Sequence, residues 1–328
     1  MNNLTLASIQ DLRTQFETTL GVVQAVDGVS FDIQRGETLG LVGESGSGKS
    51  VTALSIMRLV HAVGGHIVSG RIEFNGLGNL LEKDEGEMRR IRGKHIAMSF
   101  QDPMTYLNPV LRIGDQIAET ISLHQSVTRR QARDGAIEAM NLVGIPSPQD
   151  RVNDYPHQFS GGMRQRLLLA IAVACKPKLL IADEPTTALD VIVQDEILEL
   201  LKDLKAKVGT TVLIITHDLG MVAELADRVV VMYAGKVLEI AETAALFKKP
   251  LNPYTEALIQ SIPRIEWGKR RLRTIEGNIA DPIKPPPGCR FSPRCQYAQK
   301  ICFEQDPIPT ELKPGHWTAC HLASQVYS

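Results

Sequence analysis

The apolar residues of the chain fall into two kinds of segment. Short, nearly continuous runs of Val, Ile and Leu mark Val29–Ile33, Thr38–Val42, His95–Phe100, Leu179–Ala182, Thr211–Thr216, Arg228–Tyr233 and Lys236–Ile240. A strand with one wet face alternates apolar and polar residues, whereas a strand covered on both faces is apolar throughout. Most of these runs are of the second kind, and helix-like segments separate them. The pattern predicts α/β layers around a buried sheet. The last two runs are joined by Ala234-Gly235, which predicts a hairpin.

Between Asp102 and Arg166 the period lengthens. LRIGDQIAETISLH (residues 111–124) and TRRQARDGAIEAMNLVG (residues 128–144) carry apolar residues at helical spacing, the second ending at Gly144 before Pro146. Helices of this kind stop at such Gly and Pro signals. We expect a mainly helical insertion over about residues 102–170. From Pro263 onward the chain holds nine of its 18 prolines, including the PIKPPP stretch at 282–287. Proline-rich composition punctuates regular structure. The expected organisation is therefore a domain over residues 1–261 and a loop-rich C-terminal extension over residues 262–328.

Charge narrows the function. The 36 basic and 37 acidic residues give a net charge of −1, without the basic excess of a protein that coats nucleic acid. The longest apolar run, Leu167–Cys175, is far short of the ~20 residues of a membrane-spanning helix. The opening MNNLTLASIQDLRT has no basic stretch followed by an apolar one, so a cytoplasmic protein is expected.

Gly43-Glu44-Ser45-Gly46-Ser47-Gly48-Lys49-Ser50, followed by Val51, fits the phosphate-loop pattern GxxxxGK[ST]. It follows the strand ETLGLV and opens the helix-like VTALSIMRLV, the context the motif requires. Its glycines let backbone N–H groups turn inward around phosphate oxygens, and the helix N-terminus adds its dipole. Lys49 suits the β- and γ-phosphates, and the Ser50 hydroxyl suits Mg²⁺. LLIADEP (residues 179–185) is an apolar strand ending in two carboxylates. Asp183 suits Mg²⁺, and Glu184 is a candidate general base for the attacking water. Between these motifs, Ser160, Gly161 and Gly162 at a helix start form a second phosphate-friendly turn; taken alone, a simple Ser N-cap explains them as well.

With these motifs in order, the chain resembles the ATP-binding subunits of ABC transporters. The resemblance rests on GESGSGKS, the glutamine loop SFQDP with Gln101, the signature FSGGM, the acidic LLIADEP, TALD with Asp190, and ITHD with His217. VGESGSGKS, FQDPMTYLNP, YPHQFSGGMRQR, NPYTEAL and GCRFSPRC are similar to the dipeptide and oligopeptide importer branch. The resemblance implies a P-loop ABC ATPase fold: a RecA-like core with an antiparallel β subdomain and an inserted helical subdomain. It implies ATP and Mg²⁺ as ligands, and a sandwich of two ATPase subunits in which a related but non-identical partner pairs with this one. Gln101 would contact Mg²⁺ and the attacking water, His217 the γ-phosphate, and Asp190 the dimer interface. Ser160, Gly161 and Gly162 would serve the ATP held by the partner. Two membrane permeases would dock on the helical insertion at the cytoplasmic face of the inner membrane, with a solute-binding protein acting through them and no nucleic acid involved. Related importers carry nickel or sugars, and ABC ATPases that act on nucleic acid form a further class. Motif spacing puts Leu20 where the family stacks an aromatic on adenine, with Phe16 the nearest ring. His95, His124 and His157 are expected to be structural, and Cys175 a core residue in an apolar helix.

The remaining cysteines, Cys289, Cys295, Cys302 and Cys320, cluster in the extension. In a reducing compartment four clustered thiols suggest a metal before disulfides. Thiolates suit zinc or an iron–sulfur cluster. Structural zinc favours close C-x2–4-C pairs, which are absent here, while a cubane cluster accepts varied spacings. The resemblance points to [4Fe–4S] as well. Zn²⁺, with His316 or His321 as added ligands, and four free thiols are the alternatives.

Overall fold

Six of the seven apolar runs coincide with a strand or lie within one, and the seventh, His95–Phe100, contains the strand Ile96–Ser99, in the computed structural model, which describes residues 4–187, 189–262 and 275–326. Contacts group the chain into two units, residues 1–81 with 216–328, and residues 82–215.

The first unit carries an antiparallel sheet in the order Gly21–Gln34, Thr5–Thr18, Gly65–Phe74 and Gly78–Asn79. The two long strands form a hairpin paired from Thr5↔Gln34 to Thr18↔Gly21. Only its far end, Val29–Ile33, is legible as an apolar run. The rest escapes a period-two reading because the ladder slips between Ile9 and Leu12 and again between Thr14 and Gln15. Each bulge inserts a residue and moves the following side chains to the other face.

The same unit holds Thr38–Val42, buried along its whole length. It pairs in parallel with Arg228–Tyr233, from Leu39↔Arg228 to Val42↔Val231. Arg228–Tyr233 turns through Ala234 (φ 44°) and Gly235 (φ 83°) into the antiparallel Lys236–Glu242. Two left-handed residues in succession make the hairpin turn whose twist matches its strands. The C-terminal extension then adds a second hairpin. His316–Thr318 pairs with Lys236–Glu242 through Glu239↔Thr318 and Ile240↔Trp317, and Thr310–Lys313 pairs outside it. The extension thus continues the sheet. Its Phe291 joins the unit's core, packing edge-on against Tyr233 at 5.3 Å between ring centres, with Tyr254 at 5.2 Å.

One ion cluster ties the extension to the first hairpin. Asp27 receives Arg13, Arg290 (2.6 Å) and Lys236 (3.1 Å). Partial burial pushes its carboxyl up, but Lys236, Arg290 and Arg13 outweigh that and hold it below its ordinary value. A depressed carboxyl stabilises the fold above the unfolded pKa of about 3.9, and that stability is lost as pH falls through the lower folded value. Asp27→Asn is therefore expected to cost about 1–3 kcal/mol at pH 7, because it leaves the buried Arg290 without its carboxylate. Denaturant unfolding should show the gap to wild type closing below about pH 4. A pH-independent gap would mean that the charge is not what matters.

The second unit contains Ile96–Ser99, Leu179–Asp183 and, up to Ile215, the strand Thr211–Thr216, paired in parallel through Ile96↔Leu179 and Leu179↔Thr211. The last two are buried at every position, as their unbroken apolar sequences require. The predicted helices are Ile113–His124 and Arg129–Leu142. The second opens with a capping box in which Thr128 and Gln131 satisfy each other's backbone N–H groups. Both pack with the helix Gly161–Val173. Cys175 lies just beyond that helix, half-buried rather than inside it, with its thiol 3.7 Å from the Thr120 carbonyl; burial raises its pKa. His95 and His124 are held below their ordinary pKa first by burial and then by nearby lysines, and His157 stacks on Tyr155. Among the described residues no helix is long and apolar enough to cross a membrane.

Candidate functional site: a phosphate loop and an acidic strand end

In the first unit the loop Gly43–Gly48 joins the buried strand Thr38–Val42 to the helix Lys49–Ile56. Gly43 (φ 153°) and Gly48 (φ 99°) are demanded twice over, by conformation and by space. A Cβ on Gly43 would sit 2.0 Å from the Met232 carbonyl oxygen, and one on Gly48 2.4 Å from that of Ala25. Gly46 (φ 78°) faces open space, so only its conformation calls for glycine. No side chain caps the helix at Gly48, which leaves the first-turn N–H groups directed at the loop. Lys49 is buried, and its Nζ donates to the carbonyls of Gly43 (2.8 Å) and Glu44 (3.0 Å) and to Ser47 Oγ (3.3 Å). The ammonium is thus fixed inside the curve of the loop. Ser45 is exposed on the loop, and Ser50 and Val51 are half-buried in the helix's first turn.

In the second unit, Leu179–Asp183 ends with Asp183 buried. Glu184 follows at φ 44°, a left-handed conformation that non-glycine residues rarely adopt, and its N–H donates to the Ile215 carbonyl at 2.8 Å. Strain of this kind collects at functional positions. Its carboxylate receives Gln101 Nε2 (2.6 Å) and Thr187 Oγ1 (2.9 Å) on the same oxygen. Gln101 and Glu184, 83 residues apart in sequence, are therefore brought together; Thr187 is a partner that motif reading missed.

Ser160 caps the helix Gly161–Val173, accepting from Met163 N–H at 3.3 Å. A Cβ on Gly162 would meet Val193 at 2.5 Å, while Gly161 faces open space. Asp190 caps Val191–Val208 by accepting from Val193 N–H at 3.0 Å. Within the chain, then, Ser160 and Asp190 set helix ends. His217 is exposed just after Thr211–Thr216, beside Asp218, which caps Leu219–Leu225. Leu20 stands at the tip of the first hairpin, 83% exposed, and Phe16 packs toward Gly65.

The cysteines of the extension need a correction. Cys289, Cys295, Cys302 and Cys320 line one cavity of about 20 Å³, yet among the described residues no group of three or more Cys, His, Asp or Glu stands close enough to hold a metal ion. The expected [4Fe–4S] or Zn²⁺ site is gathered but not assembled as a ligand set. Burial above all, then the neighbouring thiols, pushes Cys289 up to about 12 and Cys320 up to about 11. His316 is withdrawn from any mixed site, because its Nε2 lies 2.6 Å from Glu239 in the core. His321 lines the same cavity, with Nε2 2.9 Å from the Gln305 carbonyl. Ser292 also lines it, and its buried Oγ has no hydrogen-bond partner.

Comparison with known proteins agrees with this geometry. A family model described as ABC transporter matches residues 26–187, and one described as the C-terminal region of oligopeptide/dipeptide transporters matches residues 238–302. A protein of Sinorhizobium fredii, named a probable peptide ABC transporter ATP-binding protein, is 50% identical over 98% of this chain and 96% of its own length. A dipeptide transport ATP-binding protein of Bacillus subtilis is 48% identical over 97% of this chain and 95% of its own. Among solved structures, the dimeric form of a bacterial ABC transporter cassette aligns with a TM-score of 0.63 at 25% identity, covering 72% of this chain and 98% of that one. A cassette from Clostridium perfringens, part of an ABC transporter complex, aligns with a TM-score of 0.64 at 25% identity, covering 75% and 92%.

Proposed function

The chain belongs to the ATP-binding subunits of ABC transporters, and on that premise we propose that it hydrolyses ATP to energise import of di- or oligopeptides. The observation that carries the reading is a carboxylate, Glu184, held by Gln101 and Thr187 in the second unit, in a chain whose first unit supplies a complete phosphate loop. The peptide cargo is supported by the C-terminal match and by the names of relatives that align over nearly the whole chain.

In this reading the first-turn N–H groups from Lys49 to Val51, the loop N–H groups that the chain does not itself engage, and Lys49 Nζ bind the phosphates, while the Glu44 N–H stays with Tyr254. Ser50 and Asp183 offer a hydroxyl and a carboxylate, the hard oxygen donors that suit Mg²⁺. Magnesium, when bound, neutralises charge on the phosphate oxygens. Glu184 takes the proton of the attacking water, Gln101 holds that carboxylate in place, and His217 contacts the γ-phosphate. Ser160, Gly161, Gly162 and Asp190 act across a dimer interface with a second, homologous ATPase. Val191 and Ile192, exposed at the start of the Asp190-capped helix, support a partner on that face. Met104, Tyr106, Val110 and Leu111, exposed just after Gln101, support docking of permease subunits at the cytoplasmic side of the membrane. A solute-binding protein would then act through those permeases. Residues 262–328 form the branch-specific extension.

For the extension we infer that the four cysteines hold a [4Fe–4S] cluster. Two things support it: the four thiols share one cavity, and the unpartnered Ser292 hydroxyl is a donor that a cluster sulfur would satisfy. Anaerobically purified protein is expected to be brown and to carry about four irons per chain, lost in a Cys289→Ser/Cys302→Ser variant. A colourless anaerobic preparation with stoichiometric zinc would overturn this.

The functional reading is tested by co-expression with permease subunits of a peptide importer. We expect a detergent-stable complex whose ATPase activity is unaffected by DNA or RNA. Stimulation by nucleic acid, with no association with permeases, would contradict it.

A further inference from the structure

Glu44 is the only acid in the phosphate loop, and a carboxylate there opposes the phosphates the loop is built to hold. It is not left to itself. Arg294, from the extension, grips it with a two-pronged pair, one prong 2.7 Å to Oε2 and the other 3.0 Å to Oε1. The Arg294 side chain is only 4% exposed. Its other donors are fixed by the carbonyls of Glu276 (3.0 Å) and Ile275 (3.1 Å) and by Tyr233 Oη (3.3 Å). The Glu44 N–H in turn donates to Tyr254 Oη at 2.9 Å, a phenol that burial pushes well above its ordinary pKa. A second arginine of the same segment, Arg290, holds the Ala234 carbonyl, and the next residue, Gly235, donates its N–H to the Ser47 carbonyl at 2.9 Å. The segment Gly288–Cys295 therefore braces the phosphate loop at both Glu44 and Ser47.

A buried ion pair is a poor device for stability alone, since apolar residues of the same shape do as well. Its placement inside an anion-binding loop gives it another use. We propose that Arg294 is a positioning residue of the nucleotide site, which cancels the charge of Glu44 and fixes the loop so that the phosphates of ATP meet N–H groups and Lys49 without opposition. The extension would then set nucleotide affinity directly, at a distance from the chemistry. The proposal rests on the phosphate loop binding MgATP, as argued above.

The test measures the MgATP dissociation constant, and kcat with KM, for wild type, Arg294→Met, Arg294→Lys and the double variant Arg294→Met/Glu44→Gln. Loss of a charge-assisted pair beside the phosphates should weaken MgATP binding by about tenfold in Arg294→Met, mainly through KM. Removing the exposed charge should restore it, so the double variant should bind to within about threefold of wild type. An arginine that merely packed the extension could not be rescued by Glu44→Gln. Should Arg294→Met fail to fold, Arg294→Lys carries the test, since it keeps the charge, loses the fork and should fall between the two. Wild-type affinity in both arginine variants, or a double variant no tighter than Arg294→Met, overturns the proposal. A wild-type protein that does not bind MgATP overturns the functional reading itself.

Discussion

Glu184→Gln is expected to lower ATP turnover by about 10²–10⁴-fold while leaving MgATP binding intact. Glutamine has the size of glutamate and can still lie beside Gln101 and Thr187, but it cannot accept the proton of the attacking water. The substitution also tolerates the left-handed backbone at 184 no worse than glutamate does, so no separate conformational loss is expected. Single-turnover hydrolysis and equilibrium nucleotide binding, measured on the same preparation, separate the two effects. Normal turnover in the variant would show that the base lies elsewhere.

Gly48→Ala should weaken nucleotide binding severely, whereas Gly46→Ala should be mild. Both glycines are left-handed, so each substitution carries the ~1–2 kcal/mol penalty of that conformation for an L-residue. At Gly46 nothing else opposes a methyl group. At Gly48 the new Cβ would lie 2.4 Å from the Ala25 carbonyl oxygen, backbone that cannot swing aside as a side chain can, so the loop must move. Because Gly48 directly precedes Lys49 and caps the helix, that movement displaces the ammonium and the first-turn N–H groups together. We expect MgATP affinity to fall at least about a hundredfold in Gly48→Ala and only a few-fold in Gly46→Ala. Equal losses would mean that backbone conformation, not the close approach to Ala25, fixes the loop.

The parts of this protein legible in sequence are those governed by local rules. Fully buried strands such as Leu179–Asp183 and Thr211–Thr216 read as unbroken apolar runs. The phosphate loop reads from glycine spacing because its conformation cannot be built otherwise. The long antiparallel hairpin did not read, because bulges near Asp11 and Thr14 break its alternation. The strands of the extension, Thr310–Lys313 and His316–Thr318, are short, and the first is exposed throughout; pairing of the second with Lys236–Glu242 and of the first with the second, not hydrophobicity, makes them strands. The partners of the loop were hidden for a similar reason. Arg294 and Tyr254 lie more than 200 residues from Glu44, and nothing local in GCRFSPRC or NPYTEAL says which atom each will reach. The GCRFSPRC and NPYTEAL motifs were visible as family features, but only the fold shows that they end on the phosphate loop.

The most direct test of the central claim is uptake of a labelled di- or tripeptide by cells lacking other peptide importers, with this chain as wild type or as Glu184→Gln. The account predicts uptake with wild type and its loss with the variant at the same protein level. Equal uptake with both would contradict it, because peptide entry would then not depend on hydrolysis at Glu184.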